Sequence, residues 1–417
     1  MRSIMRQTTL VTKLVAFLAL APWLRGACAR SPGKSQRVCE AEPQRGPSLI
    51  QVSRTSSADA SQPGRGIEGQ QGLKLITLVS VECKSYQDWQ VATLHRSWRR
   101  AGVPGKLVRL VACPAEEWAR SRDFSHLPGL ESHFHEAVNV SYLPLNKPSG
   151  MLSWLTQGGG RALSNDTVVL TVDPDMVFYG SGAAVLEKLT PMVDRVRSGA
   201  AEALGSDFEY VVAGLRAQNW TLARHFGVSD VGALQSSGVP LVMRLDSWRR
   251  IARPYYEITK ALRDSPDLDA LVHDGNQPAP WIKEMVGYTL ATAGLHHETQ
   301  REWPALEAPQ PPWSASSESP LLVHYDHTFH LCGRVFGKMR YYWTDLLDCS
   351  LDAALWLASL EPPSRAEVNS SSCQLCVEAG DSYGTPPMCD LPGREYGILA
   401  WEEVHGAVSD WRASRCA

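Results

Sequence analysis

Net charge is almost absent from this 417-residue chain, in which 41 Lys and Arg stand against 44 Asp and Glu for a formal charge of −3. No block of like charge occurs, so the electrostatic footprint of a nucleic-acid partner is missing. Long apolar runs are lacking too. The most concentrated one, Leu14 to Leu24, is shorter than the roughly 20 residues that a bilayer core requires. No internal repeat is present, which sets aside a repeat architecture.

What the N-terminus does have is an address. Arg2, Arg6 and Lys13 precede the apolar run, and Ala27-Cys28-Ala29 follows it, giving a charged region, a short apolar region and an A-x-A cleavage pattern. Residues 1–29 are expected to be a signal peptide cut after Ala29. A short uncleaved signal anchor is the alternative, and only then is membrane association expected. Of 10 cysteines, Cys28 leaves with the signal, and Cys39, Cys83, Cys113, Cys332, Cys349, Cys373, Cys376, Cys389 and Cys416 remain. In an oxidising lumen most should pair, with one left free or intermolecular. Cys373-x-x-Cys376 has the look of a zinc knuckle or redox motif. In a secreted chain we read it, with Cys389 and Cys416, as oxidised and fastening the C-terminal tail. Sequons at Asn139, Asn165, Asn219 and Asn369 agree with the lumen of the endoplasmic reticulum or Golgi.

Residues 30–71 are rich in Ser, Gly, Gln, Arg and Pro, a composition that cannot bury enough surface to offset its ordering entropy, and a flexible stem is expected. Order begins at Leu73. Leu73 to Val81 suits a buried parallel strand. Ser85-x-x-Asp88 reads as a capping box for a helix with an apolar stripe of Val91, Leu94, Trp98 and Ala101, stopped by Gly102 and Pro104. Leu107 to Val111 is a second strand, so the opening is a βαβ unit. A polar, His-containing stretch leads to a helix entered at Pro148, with Met151, Trp154 and Leu155 buried and Gly158 to Gly160 at its end. Further strands are expected at Thr167–Val172, Val239–Leu245 and Leu321–Val323, and a helix at Trp281–Leu295. The alternation predicts a three-layer α/β domain over residues 72–363, followed by a cysteine-bearing tail over 364–417.

Asp173-Pro174-Asp175 directly follows the third strand. In open α/β sheets ligands bind beyond the carboxyl ends of strands. Two carboxylates this close repel unless a cation or proton lies between them. A nucleotide diphosphate brings Mn²⁺ or Mg²⁺, which takes carboxylate and phosphate oxygens together and neutralises a leaving diphosphate. A plain Asp-Pro turn is the alternative. On the metal reading, Asp175→Asn should abolish activity yet leave the thermal melt almost unchanged, because the pair is compensated only when metal is bound. His324, after the apolar Leu321–Val323, is a third candidate ligand, and Lys338 would meet the diphosphate as a point charge. His324, His327 and His330 raise a zinc site as a rival, although their spacing matches no closed structural site. Glu284 and Tyr288 lie one helical turn apart and share a face, from which they would orient an acceptor hydroxyl or bind the donor sugar.

Taken in order, these residues resemble the peptidyl serine α-galactosyltransferases and the related hydroxyproline O-arabinosyltransferases of plants and green algae. The matching features begin with Glu82-Cys83, Tyr86, Trp89 and Gln90, then Gly102-x-Pro104-Gly105 and Arg109-Leu-Val-x-Cys113. They continue through Asn146-Lys147-Pro148, Trp154-Leu155, Asp173-Pro-Asp175-Met176, Trp281-Ile-x-Glu284-Met285-x-Gly287-Tyr288, His324-Tyr325 and Phe336-x-Lys338. The resemblance covers about residues 73–363. It implies a GT-A fold, a UDP-sugar donor, Mn²⁺ at Asp173 and Asp175, and donor binding by Asn146, Lys147 and Lys338. It also implies transfer with retention to a hydroxyl of a Ser/Hyp-rich secreted polypeptide. Its first block favours galactose and serine. Arabinose transfer to hydroxyproline is the alternative, as is, from another class, a non-catalytic binding module on the same fold. Asp326 stands where family members often have Gly after His-Tyr, and residues 177–238 match poorly.

Overall fold

The computed structural model describes residues 74–138, 142–275, 277–300, 304–305, 320–377, 389 and 393–416. The expected signal segment and stem, Cys28, Cys39 and the Asn139 sequon lie outside them.

Strand β1 (Leu75–Glu82) is buried on both faces because helices cover both. Its alternate residues go two ways. Leu75, Val79 and Val81 pack with Trp89, Leu94 and Trp98 of α1 (Ser85–Arg100), whereas Leu78 packs with Val108 and Leu110 of β2 (Lys106–Ala112). The capping box is corrected here. Ser85 is already helical, the cap position is Lys84, and no side chain caps the helix. Asp88 is instead buried against Arg122 at 3.1 Å and Arg109 at 3.5 Å, two cations brought in from later in the chain.

The polar stretch after β2 contains a strand that its composition conceals, β3 (Leu130–His135), paired in parallel with β2 at the sheet edge. Helix α2 (Asn146–Thr156) buries Met151, Trp154 and Leu155 as expected. Next come β4 (Val168–Val172), β5 (Met176–Phe178), α3 (Gly182–Arg197), β6 (Ala203–Ser206), α4 (Glu209–Ala217) and β7 (Gly238–Arg244). Helix α5 (Leu245–Asp264), α6 (Lys283–Ala291) and β8 (His297–Gln300) follow. The expected 281–295 helix is thus shorter, because Pro280–Ile282 make a separate 3-10 turn before it.

The main sheet has seven strands in the order β8-β6-β7-β4-β1-β2-β3. Only β7 runs against its neighbours, so β1, β2, β3, β4, β6 and β8 all end at one edge. Helices α1 and α3 cover one face, while α2 and α5 cover the other with Trp248, Ile251 and Tyr255. This three-layer, mostly parallel arrangement is the α/β architecture that the alternation of elements predicts.

Beyond it, β9 (Leu322–His324) pairs antiparallel with β5. A second small sheet joins β10 (Phe329–Leu331), β11 (Arg334–Phe336) and β12 (Leu375–Val377). The final helix, α7 (Arg394–Arg415), lies on α1, burying Ile398, Trp401 and Val404 in the same core as Trp89. Glu403, only 3% exposed, takes Arg96 at 2.7 Å and Arg100 at 2.5 Å.

All eight described cysteines are paired: Cys83–Cys113, Cys332–Cys373, Cys349–Cys416 and Cys376–Cys389. Cys373, Cys376, Cys389 and Cys416 are therefore oxidised, as expected. The C-x-x-C cysteines do not pair with each other, and Cys373 and Cys416 tie the last 54 residues' helix and strand back to residues before 350. Among the described residues no helix is long and apolar enough to cross a membrane.

Candidate active site

Asp173 and Asp175 stand where β4 leaves the carboxyl edge of the sheet. The chain turns there and returns as β5, which β9 joins with His324 opposite Met176. The Tyr325 N–H donates to the Asp175 carbonyl at 3.0 Å. That ladder brings His324 Nε2 to 3.2 Å from Asp175 Oδ1. One ligand atom from each of Asp173, Asp175 and His324 lies within 4.8 Å of the others, and no other such cluster occurs among the described residues. A six-coordinate cation with ligands at about 2.1 Å separates neighbouring donor atoms by about 3 Å and opposite ones by about 4.2 Å. The set needs only a small closure to fit, and its donors, two carboxylates and an imidazole, suit Mn²⁺. The rival zinc trio does not assemble. His327 turns to Asp326 at 3.0 Å, and His330 sits in β10.

Each carboxylate already has a lysine. Lys147 Nζ is 2.7 Å from Asp173 Oδ1 and 3.8 Å from Glu284. Lys338 forms an ion pair with Asp175. Burial alone would push Asp175 up, but Lys338 and His324 hold it well below the usual carboxylate range. Burial works against both ammonium groups, yet Asp173 and Glu284 raise Lys147, and Asp175 raises Lys338. The expectation that the bare carboxylates simply repel is therefore corrected, and with it the unchanged melt for Asp175→Asn. That substitution strips a counter-charge from a half-buried ammonium.

Glu284 comes to this cluster from the first turn of α6. Its carboxylate accepts a hydrogen bond from Tyr255 of α5, and its N–H donates to the Tyr142 hydroxyl at 2.8 Å. Tyr142 in turn donates to the Trp281 carbonyl at 3.0 Å. Burial pushes the Glu284 carboxyl up and Lys147 opposes it. Tyr288, one turn deeper, is not brought to the carboxylates. Its hydroxyl lies 3.1 Å from His297 Nε2, and its ring packs edge-on to Tyr255 at 5.5 Å, so it props the side chain that holds Glu284. Asn146 is likewise occupied by backbone, donating to the Leu143 carbonyl at 3.0 Å and accepting from Val138 N–H at 3.4 Å. It fixes the turn from which Lys147 projects. Tyr255 escaped the sequence reading. The apolar stripe Trp248, Ile251, Tyr255, Leu262 marks a helix but says nothing of a partner 29 residues on.

Asp326, which follows His324-Tyr325 where the resemblance often has Gly, pairs beside the cluster with His327 rather than adding a ligand to it. At the carboxyl end of β1, Glu82 is fully buried, and burial pushes its carboxyl up to about 8 against the pull of Lys84, 2.9 Å away. A folded-state value above the unfolded one, about 4.3, means that the native state holds the extra proton between those limits, so stability falls as pH rises from about 4 to 8. Glu82→Gln should remove that slope. Melts at pH 5.5 and pH 8 are expected to show the variant gaining on the parent at the higher pH. An equal difference at both would show that Lys84 keeps the carboxylate charged.

Comparisons with known proteins identify the family to which the chain belongs. A model of the hydroxyproline O-arabinosyltransferase family N-terminal domain matches residues 76–301, a span that includes Lys147, Asp173, Asp175 and Glu284. A peptidyl serine alpha-galactosyltransferase of Arabidopsis thaliana is 27% identical over 285 residues, 66% of this chain. One of Chlamydomonas reinhardtii is 25% identical over 325 residues, 72% of this chain. The chain spans only 33% and 40% of the lengths of those two relatives. Among solved structures, the galactosyltransferase LgtC with donor and acceptor sugar analogues has a TM-score of 0.35 at 10% identity, covering 60% of this chain and 86% of that one. Mouse xyloside xylosyltransferase 1 has a TM-score of 0.30 at 13% identity, covering 60% and 97%. No residue correspondence follows from likenesses that low. The family match rests instead on more than half of the chain, a span that contains the carboxylate turn, and the chain belongs to the hydroxyproline O-arabinosyltransferase family.

Proposed function

We propose that this chain is a glycosyltransferase that moves a sugar from a UDP-sugar to a hydroxyl of a Ser/Hyp-rich polypeptide in the secretory pathway. The observation that carries the reading is the Asp173, Asp175 and His324 cluster at the carboxyl edge of the sheet, with Lys147 and Lys338 beside it. Asp173, Asp175 and His324 would hold Mn²⁺ or Mg²⁺. Such an ion, when bound, supplies charge neutralisation for a leaving diphosphate. Lys147 and Lys338, displaced from the carboxylates, would turn to phosphate oxygens as point charges. In the transfer, the bond from the anomeric carbon to the diphosphate breaks and a bond to the acceptor oxygen forms. The acceptor's proton passes to the departing diphosphate, so no side-chain nucleophile is needed. Glu284, held by Tyr255, would orient the sugar or the incoming hydroxyl. The four disulfides support an oxidising compartment.

The names of the two curated relatives favour galactose and serine, whereas the family model's description favours arabinose and hydroxyproline. Galactose to serine is our first reading. The test is a donor screen with the purified chain, Mn²⁺ and Ser-Hyp-rich peptides. UDP-galactose should support transfer, and chelation of the metal should abolish both turnover and UDP binding. Transfer only from UDP-arabinofuranose would select the second reading. UDP binding that survives chelation would remove the metal from the scheme.

A further inference from the structure

Trp281 is 59% exposed although it lies three residues before Glu284, on a turn that is rigidly held. The Tyr142 hydroxyl binds the Trp281 carbonyl at 3.0 Å and receives the Glu284 N–H at 2.8 Å, so one phenol locks the indole's backbone and the glutamate's together. The ring of Tyr210 stands 5.9 Å away, inclined by 40°, and its hydroxyl is anchored on Met285 Sδ at 3.5 Å. Tyr210 opens α4 just after β6, which ends at the same edge of the sheet as β4. Two neighbouring aromatic rings thus stand at the start of the helix that carries Glu284.

We propose that Trp281, backed by Tyr210, is a specificity-determining platform for the acceptor polypeptide, seating a pyrrolidine ring of a proline- or hydroxyproline-rich extended segment next to Glu284. The inference rests on the transferase reading above and adds to it the surface that reads the acceptor. A polyproline II strand carries no charge and leaves its backbone solvated, so it is recognised by aromatic faces rather than by ion pairs. At roughly 3.1 Å per residue, the 5.9 Å between the two rings covers about two residues of such a strand. An indole left in water forgoes a large burial on folding, and covering it on binding recovers that contribution. Its rigid mounting keeps the ordering cost low.

The experiment compares two peptides of equal length with one central serine, one flanked by hydroxyproline and one by alanine and glycine. Calorimetry with Mn²⁺ and UDP present measures the affinity of each for the parent, Trp281→Ala and Trp281→Phe. The parent should prefer the hydroxyproline peptide. Trp281→Ala should lose about tenfold in affinity for it and little for the other, collapsing the preference, and Trp281→Phe should restore most of it. An undiminished preference in Trp281→Ala overturns the platform. UDP binding by the parent is read in the same instrument, and its absence would fault the transferase reading, not the platform.

Discussion

Asp175→Asn should cost this protein both its activity and several degrees of melting temperature. Turnover should fall by about a thousandfold or more, the scale seen when a group that stabilises developing charge is removed. The stability loss follows from the neighbours. Asp175 is 6% exposed and is shared by Lys338 and His324. Removing one partner of a buried pair costs about 3–5 kcal/mol when the other charge is stranded. Lys338 retains 18% exposure and can reach water, so about 2 kcal/mol is the better expectation, or roughly 3 °C. The pH dependence has the matching sign. A carboxylate held below its unfolded value stabilises the fold above that value, about 3.9, and the contribution is lost as pH falls through the folded one. In the variant, the acid limb of the stability curve should flatten. A wild-type melt together with wild-type metal-dependent UDP binding would reduce Asp173-Pro-Asp175 to a turn.

Opening Cys349–Cys416 should destabilise the whole domain rather than release a tail. The bridge spans 67 residues, and a loop of that length corresponds to about 4 kcal/mol of chain entropy in the unfolded state. The helix it anchors buries Trp401 at 1% exposure, with its indole N–H on the Leu360 carbonyl at 2.6 Å. Trp411 likewise donates to the Leu347 carbonyl at 3.0 Å. The Cys349→Ser, Cys416→Ser double variant should therefore melt roughly 6 °C lower in a single transition. Two separate transitions, with the main one unmoved, would show that α7 is an appendage.

Much of the site was legible because its signals are local. The apolar Thr167–Val172 run announces a strand, and a carboxylate pair at its end announces a ligand edge. His324 was legible for the same reason, as the residue closing another short apolar run. Tyr288 misled because an i, i+4 spacing places two residues on one face without saying how deep that face runs. One turn separates Glu284 at the edge from a tyrosine at 1% exposure. Strand β3 is concealed because an edge strand has one neighbour and tolerates the polar Glu131 and Ser132, while His133 is buried with a hydrogen bond to Ser153 that its own sequence does not announce.

By itself, the sequence determined the α/β alternation, the carboxylate turn at the end of β4 and the oxidised cysteines. These depend on period-two and period-3.6 burial, on turn chemistry and on composition, all readable within a few residues. Only the tertiary structure decided which charges meet. Lys338 reaches Asp175 across 163 residues, Tyr255 reaches Glu284 from another helix, and Tyr142 bolts Trp281 to Glu284 across 139. No local periodicity encodes such pairings, because they are set by how strands register and helices pack once the sheet has formed.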